Sequence, residues 1–316
     1  AVADINGVLD LNLGAVTNDI TTGTSGGGST QLDFNFSYGY TNPSTGGAET
    51  IADTTLSANE IQVFVGMRNL TGATLGQGGP GGGGVGITGM VGAGDVQLAI
   101  NDAMAMDQHR RGDGPTIGNL SGTVAGGNYS FDLGPTIGNL WFDSDTDNNG
   151  STDDAATLAA NWHFDHTTSV AAGKDDFYTV ALHETLHAIG YGTSDSWDAL
   201  VTGGTEWTGA EAIALNGTGV GLIDSGGGHV AAGTMSTRLS DGMAQEVVMD
   251  PNLTTGTRKY LTALDAAFIR DIGFSTAAVP EPSGFILFGL VMFGAFGRRR
   301  SRSSNPLTSP PCSHRC

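Results

Sequence analysis

The chain has 316 residues, 51 of them glycine, a formal charge of −19 and only 7% aromatic residues. Its 13 basic residues include Arg298, Arg299, Arg300, Arg302 and Arg315 at one end, which excludes a nucleic-acid partner, since a phosphate backbone calls for clustered Lys and Arg. The two cysteines, Cys312 and Cys316, leave the body with neither disulfide nor thiolate chemistry, so a metal there must use His, Asp or Glu.

The length suits one large domain or two modest ones. The opening AVADINGVLD has no basic or apolar leader, which reads as a removed signal peptide or a fragment. LDFNFSYGY and EIQVFVGM alternate polar and apolar residues between Gly, Asn and Thr clusters, so residues 1–75 read as strands. GQGGPGGGGVG (76–86) offers nothing to pack and reads as a flexible surface loop. GDVQLAINDAMAMDQHRR (94–111) sets Val96, Ile100, Met104 and Met106 at helical spacing.

NLWFDSD (139–145) reads as a strand running into an acidic turn. Beyond it Asp143, Asp145, Asp147 and Asn149 alternate oxygen ligands in a spacing similar to the start of an EF-hand loop. The sixth position of such a loop needs glycine, and here it is Asn148. The stretch reads either as a structural Ca2+ site at a cleft rim or as a solvated acidic turn. NWHFDHTT carries His163 and His166, a second metal pair or simply surface histidines.

DDFYTVALHETLHAIG (175–190) is the strongest predicted helix. Its apolar face uses Phe177, Val180, Ala181, Leu186 and Ile189, and Gly190 stands where a C-cap glycine stops a helix. His183 and His187, four apart, share one helix face and can grip one ion. Glu184 leaves the helix at a different angle and can take the proton of a zinc-activated water. That constellation is the core of a zinc-hydrolase site. The pattern HExxHxxGxxH sets a third ligand at position 193, but this residue is Thr193, a poor zinc ligand. Asp195, Asp198, Glu206, Glu211 and His229 remain open as the third ligand. TGAEAIALNG (208–217) and LTALDAAFIRDIGF (261–274) are further predicted helices, the second with Thr262 as N-cap and Asp265 in its first turn. Strands first and helices later indicate an α+β domain that ends near 275.

The pieces HETLHAIGYG, WTGAEAIAL, GGGHV, EVVMDPNL and LTALDAAFIRDIGF follow one another over 175–274. In that order they resemble the leishmanolysin-like metzincins and a bacterial group of PEP-CTERM metalloproteases. The resemblance implies a zincin/metzincin-like catalytic domain with a twisted mixed sheet, an active-site helix and a C-terminal helix. It implies one zinc ion held by His183, His187 and His229, Glu184 as general base, Met249 in a Met-turn, and 193–228 as an insertion. Tyr191 or Tyr260 would donate to the oxyanion. The chain departs from the pattern at His229-Val230, where His-Trp is frequent.

VPEPSGFILFGLVMFGAFGRRRSR (279–302) sets a PEP turn before an apolar run, Phe285 to Phe296, and an arginine cluster. This resembles the PEP-CTERM sorting tail. It implies export in a Gram-negative bacterium to the envelope or extracellular matrix, an exosortase-type partner, and transient membrane contact through 283–297. The departure is the further tail SSNPLTSPPCSHRC. The implied organisation is a catalytic domain over 1–275 (strand-rich to 135, zinc-site part from 136), a sorting signal over 276–302 and an unstructured tail over 303–316. The expected function is that of an exported zinc metallopeptidase acting on protein or peptide. The competing readings are a non-catalytic, calcium-braced envelope or biofilm protein and a zinc amidase acting on a non-protein amide.

Overall fold

In LDFNFSYGY every second residue is apolar, and the computed structural model shows what that alternation builds. It describes residues 1–277 except Asn18 and Gln108; the sorting tail and the 283–297 segment lie outside the described residues. Gln31–Thr41 forms the long central strand of an antiparallel four-stranded sheet, with Leu32, Phe34, Phe36 and Tyr38 turned into the core. Asp19–Thr22 and Ala48–Ala52 pair with successive parts of it, and Gly82–Met90 pairs along 31–39. Helix Val96–Ala105, N-capped by Asp95, packs Ala99, Ile100 and Ala103 against this layer. It stops short of the predicted 111 and leaves Met106 exposed. The hairpin Gly118–Val124 and Gly127–Leu133, which the sequence did not announce, adds Phe131 to the same core.

A second sheet lies beneath the site. Ile137–Asp143 is its middle strand, parallel to Gln62–Arg68 and antiparallel to Gly76–Pro80. The sheet is mixed, and with seven helices among the described residues the architecture is α+β.

Two expectations fail here. The glycine-rich 76–86 stretch is not a flexible loop but parts of two strands, Gly76–Pro80 and Gly82–Met90. Strand pairing uses the main chain, and the missing side chains make room for close neighbours. A Cβ at Gly78 would stand 2.3 Å from the Glu184 carbonyl oxygen, and one at Gly83 2.3 Å from Leu133 Cδ1. The chain also begins with a helix, Val2–Val8, rather than a strand. One turn places Asp4 at its N-terminal end and buries Ile5 in the same core as the site helix.

Arg111 ties these parts together. It is 2% exposed, and its guanidinium donates to the carbonyls of Gly14, Glu60, Pro135 and Ser57 at 2.5–3.1 Å. These acceptors come from three segments far apart in sequence, around Gly14, Ser57–Glu60 and Pro135, and no carboxylate is among them. Arg111→Met should destabilise the fold by roughly 3 kcal/mol or more, because it strands buried acceptors that each cost about 1–3 kcal/mol. Denaturant unfolding monitored by tryptophan fluorescence measures this, and an unchanged midpoint would show the carbonyls find other donors.

Segment 193–228 is folded against the closing helix Ala263–Asp271. Trp197 and Trp207 are fully buried, with ring centroids 4.4 Å apart, and both pack on Phe268. Asp271 accepts from Trp207 Nε1 and from the Glu211 and Ala212 amides, so it caps helix Ala210–Asn216. Each tryptophan buries on the order of 200 Å², several kcal/mol at about 25 cal/mol/Å². That burial is what orders the excursion.

Candidate metal centre

The site helix is Phe177–Ala188, with Asp176 as N-cap accepting from the Thr179 amide. Val180, Leu182, Leu186 and Ile189 face the core. Arg258 holds the same Asp176 carboxylate with two hydrogen bonds of 2.9 and 2.7 Å, and so fixes where the helix starts. The helix ends as its glycines dictate. Gly190 adopts φ +108° and Gly192 φ +71°, both in the left-handed region. Thr193 does not approach the histidines as a ligand. Its hydroxyl donates to the His187 carbonyl at 2.7 Å and closes the last turn.

The turn at Gly192 lets a distant loop come in. A Cβ there would lie 1.9 Å from the Gly228 carbonyl oxygen, so only glycine permits the 224–229 loop to seat against the helix end. The loop is pinned by the Trp197 indole, which donates to the Gly227 carbonyl at 2.7 Å. It delivers His229 to the pair on the helix, 42 residues after His187.

The three Nε2 atoms converge. His187 Nε2 stands 3.1 Å from His183 Nε2 and 3.1 Å from His229 Nε2. The other ring nitrogens decide what these contacts are. His183 Nδ1 faces the Val248 carbonyl at 2.9 Å and His187 Nδ1 the Tyr191 carbonyl at 2.8 Å. A carbonyl only accepts, so both Nδ1 atoms carry the proton, and in neutral rings both Nε2 atoms are bare lone pairs. His229 Nδ1 stands 3.8 Å from Asp224 Oδ2, a negative charge that favours the proton on that nitrogen although the pair is beyond hydrogen-bond reach. Burial lowers the affinity of all three rings for a proton, His183 well below its usual value and His187 to about 4. Three neutral acceptors pressed together repel unless a cation sits between them. A tetrahedral ion about 2.0–2.1 Å from each nitrogen separates its ligands by about 3.3 Å, close to the spacing found. The donor set therefore fits zinc.

Met249 is fully buried in the core that also holds Leu186 and Phe268. Its carbonyl accepts from the Val230 amide, next to His229. Asp265, at the third position of the closing helix, closes a capping box with Thr262. Its oxygens also accept from the amides of Val248 and Met249 at 3.1 and 3.4 Å. The closing helix thereby sets the segment whose Val248 carbonyl orients His183. Burial raises the Asp265 carboxyl, and these donors oppose that rise.

Glu184 is 6% exposed and lines a cleft of about 500 Å³ together with His183, His229, Val180, Leu75 and Lys259. Removal from water pushes its carboxyl up to about 8. Gly76 forms the facing wall, where a Cβ would sit 2.7 Å from Glu184 Oε1. A buried carboxyl on a cleft beside three convergent lone pairs can exchange a proton with a bound molecule.

The remaining predicted residues fall elsewhere. Asp195 opens the short helix Asp195–Asp198, where both aspartates are exposed. Glu206 is exposed on a two-residue strand, and Glu211 pairs with Arg270 at 3.1 Å. Among the described residues, the group at the site comprises the three histidines and none of these acids. Tyr191 is fully buried and among the described residues its hydroxyl has no hydrogen-bond partner, and it packs in the core rather than lining the cleft. Tyr260 packs near Tyr178 and under Arg238 and is not among the cleft residues. His163 Nε2 lies 3.3 Å from the Thr168 hydroxyl, and among the described residues neither it nor His166 belongs to a cluster of three metal-ligating groups.

Of the four residues expected in the acidic loop, Asp145 and Asp147 come together, with Asp153 as their third member. Asp143 turns inward instead and accepts from the Leu70 and Asp145 amides. Asn149 donates to Asp147 and Asp145, so the loop's own N–H groups occupy both carboxylates.

Residues 278–301 match the PEP-CTERM protein-sorting motif. No curated protein and no solved structure is significantly similar to the chain. The motif is recognised by exosortase-type sorting enzymes and directs export to the cell envelope or surface of Gram-negative bacteria. No helix of the described residues is long and apolar enough to cross a membrane.

Proposed function

We propose that this chain is an exported zinc-dependent endopeptidase of the metzincin type. The observation that carries this reading is the convergence of three histidine Nε2 atoms, that of His187 lying 3.1 Å from each of the other two, beside the buried Glu184. His183, His187 and His229 would hold the ion, with Met249 packed beneath as the Met-turn. Zinc in such a site lowers the pKa of a water to about 7 and polarises a carbonyl oxygen.

The chain's own groups do the rest. The Val248 and Tyr191 carbonyls hold His183 and His187 in the one tautomer that leaves Nε2 free. Glu184 takes the proton of the attacking water at a carboxylate oxygen and gives it to the amide nitrogen as the C–N bond breaks. Its burial raises its proton affinity, and a positive charge nearby favours the carboxylate again, so the group can act in both directions. Leu75 and Val180 supply the apolar part of the cleft wall beside Glu184. An intact glutamate argues against a purely structural site, which fills its fourth position with a protein ligand.

Treating the full chain with 1,10-phenanthroline should abolish hydrolysis of a casein substrate, and added zinc should restore it. Hydrolysis that survives complete removal of zinc would end this reading.

A further inference from the structure

The three histidines are not held alike. His183 and His187 lean on backbone carbonyls, whereas His229 Nδ1 faces a side chain, the Oδ2 of Asp224, at 3.8 Å. The two residues sit at opposite ends of the tight loop DSGGGH. The Asp224 amide donates to the His229 carbonyl at 3.0 Å, the Gly227 amide donates to the Asp224 carbonyl at 3.0 Å, and Asp224 Oδ1 accepts from the His229 amide at 3.0 Å. One oxygen thus folds the loop, and the other is left facing the ring.

We propose that Asp224 is the positioning residue of the third ligand, accepting the Nδ1 proton of His229 when its Nε2 binds the ion. This rests on the reading that the three histidines hold zinc. When Nε2 donates to a metal the Nδ1 proton becomes more acidic, and a carboxylate is the strongest acceptor a protein offers it. At 3.8 Å the pair is short of a hydrogen bond, and an approach of about 1 Å completes one. His229 stands on a glycine-rich loop rather than on the helix, so it needs this partner most. With its side chain 30% exposed, it has less packing around it than the nearly buried His187 to fix the ring.

Asp224→Asn separates the two tasks. Its amide oxygen keeps the acceptor for the His229 amide, but the NH2 group cannot accept from Nδ1–H. The test uses the full chain and zinc itself, titrated against a competing chromophoric chelator, with apo melting temperature measured beside it. Asp224→Asn should weaken zinc binding roughly 10- to 100-fold, the usual effect of losing an outer partner, and leave the apo melting temperature unchanged. Asp224→Ala, which loses both contacts, should weaken zinc at least as much and also lower the apo melting temperature. Wild-type affinity in Asp224→Asn overturns the proposal. So does an apo melting temperature that falls to the Asp224→Ala level, since the residue would then only fold the loop. A wild-type chain that takes up no zinc overturns the zinc reading itself, and this proposal with it.

Discussion

Glu184→Gln should keep one zinc per chain and lose casein hydrolysis by about 100-fold or more, the usual worth of a positioned general base. The substitution is nearly isosteric, and it touches neither the Nδ1 contacts of the three histidines nor the packing of the site helix. What it removes is the proton acceptor, because an amide cannot take a proton at neutral pH. It also removes a carboxyl that burial disfavours in its charged form, so the variant should melt no lower than the wild type. Metal analysis and hydrolysis of a fluorescent casein, measured on the same preparation, separate the two effects. A variant that retains zinc and full activity would remove Glu184 from the mechanism.

His229→Ala should cost the chain its zinc, and Asp195→Ala should not. Taking away one of three nitrogens leaves an incomplete ligand set, so the loss of affinity should exceed the roughly 10- to 100-fold typical of an outer partner. Asp195 lies exposed at the start of its own short helix, and the groups gathered at the site do not include it. Zinc content after dialysis against a mild chelator decides the matter. Zinc lost from Asp195→Ala and kept by His229→Ala would reverse the ligand assignment.

Local signals carried far in this sequence. The alternation of Leu32, Phe34, Phe36 and Tyr38 specifies a strand without reference to anything distant. The site helix is legible for the same reason, as is the closing helix with its Thr262 and Asp265 cap. What was hidden depends on contacts between segments. Residues 76–86 look like a loop because glycine usually breaks structure, whereas here the absence of side chains lets main chain lie against Glu184. The inward turn of Asp143 follows from its partner Leu70, far back in the chain. Asp224 carried only a weak mark, a carboxylate five residues before a histidine across glycines. The predicted face of the 94–111 helix failed at Met106 because the helix had already ended. The family resemblance points to Tyr191 or Tyr260 as oxyanion donor, and neither ring lines the cleft, because a family pattern does not fix which side of a turn a ring occupies.

The contact between Gly192 and Gly228 bears on how such a site can change over time. It brings the two ends of a long excursion into touch, so the excursion is a closed loop hung from a fixed neck. Lengthening a closed loop is cheap, about 0.6 kcal/mol for each doubling. Residues can therefore be gained or lost at an exposed turn of the excursion such as Gly203–Gly204, away from Trp197 and Trp207, with little effect on where His229 stands. The neck, where Gly192 has no room for a methyl group, is the part that geometry holds constant.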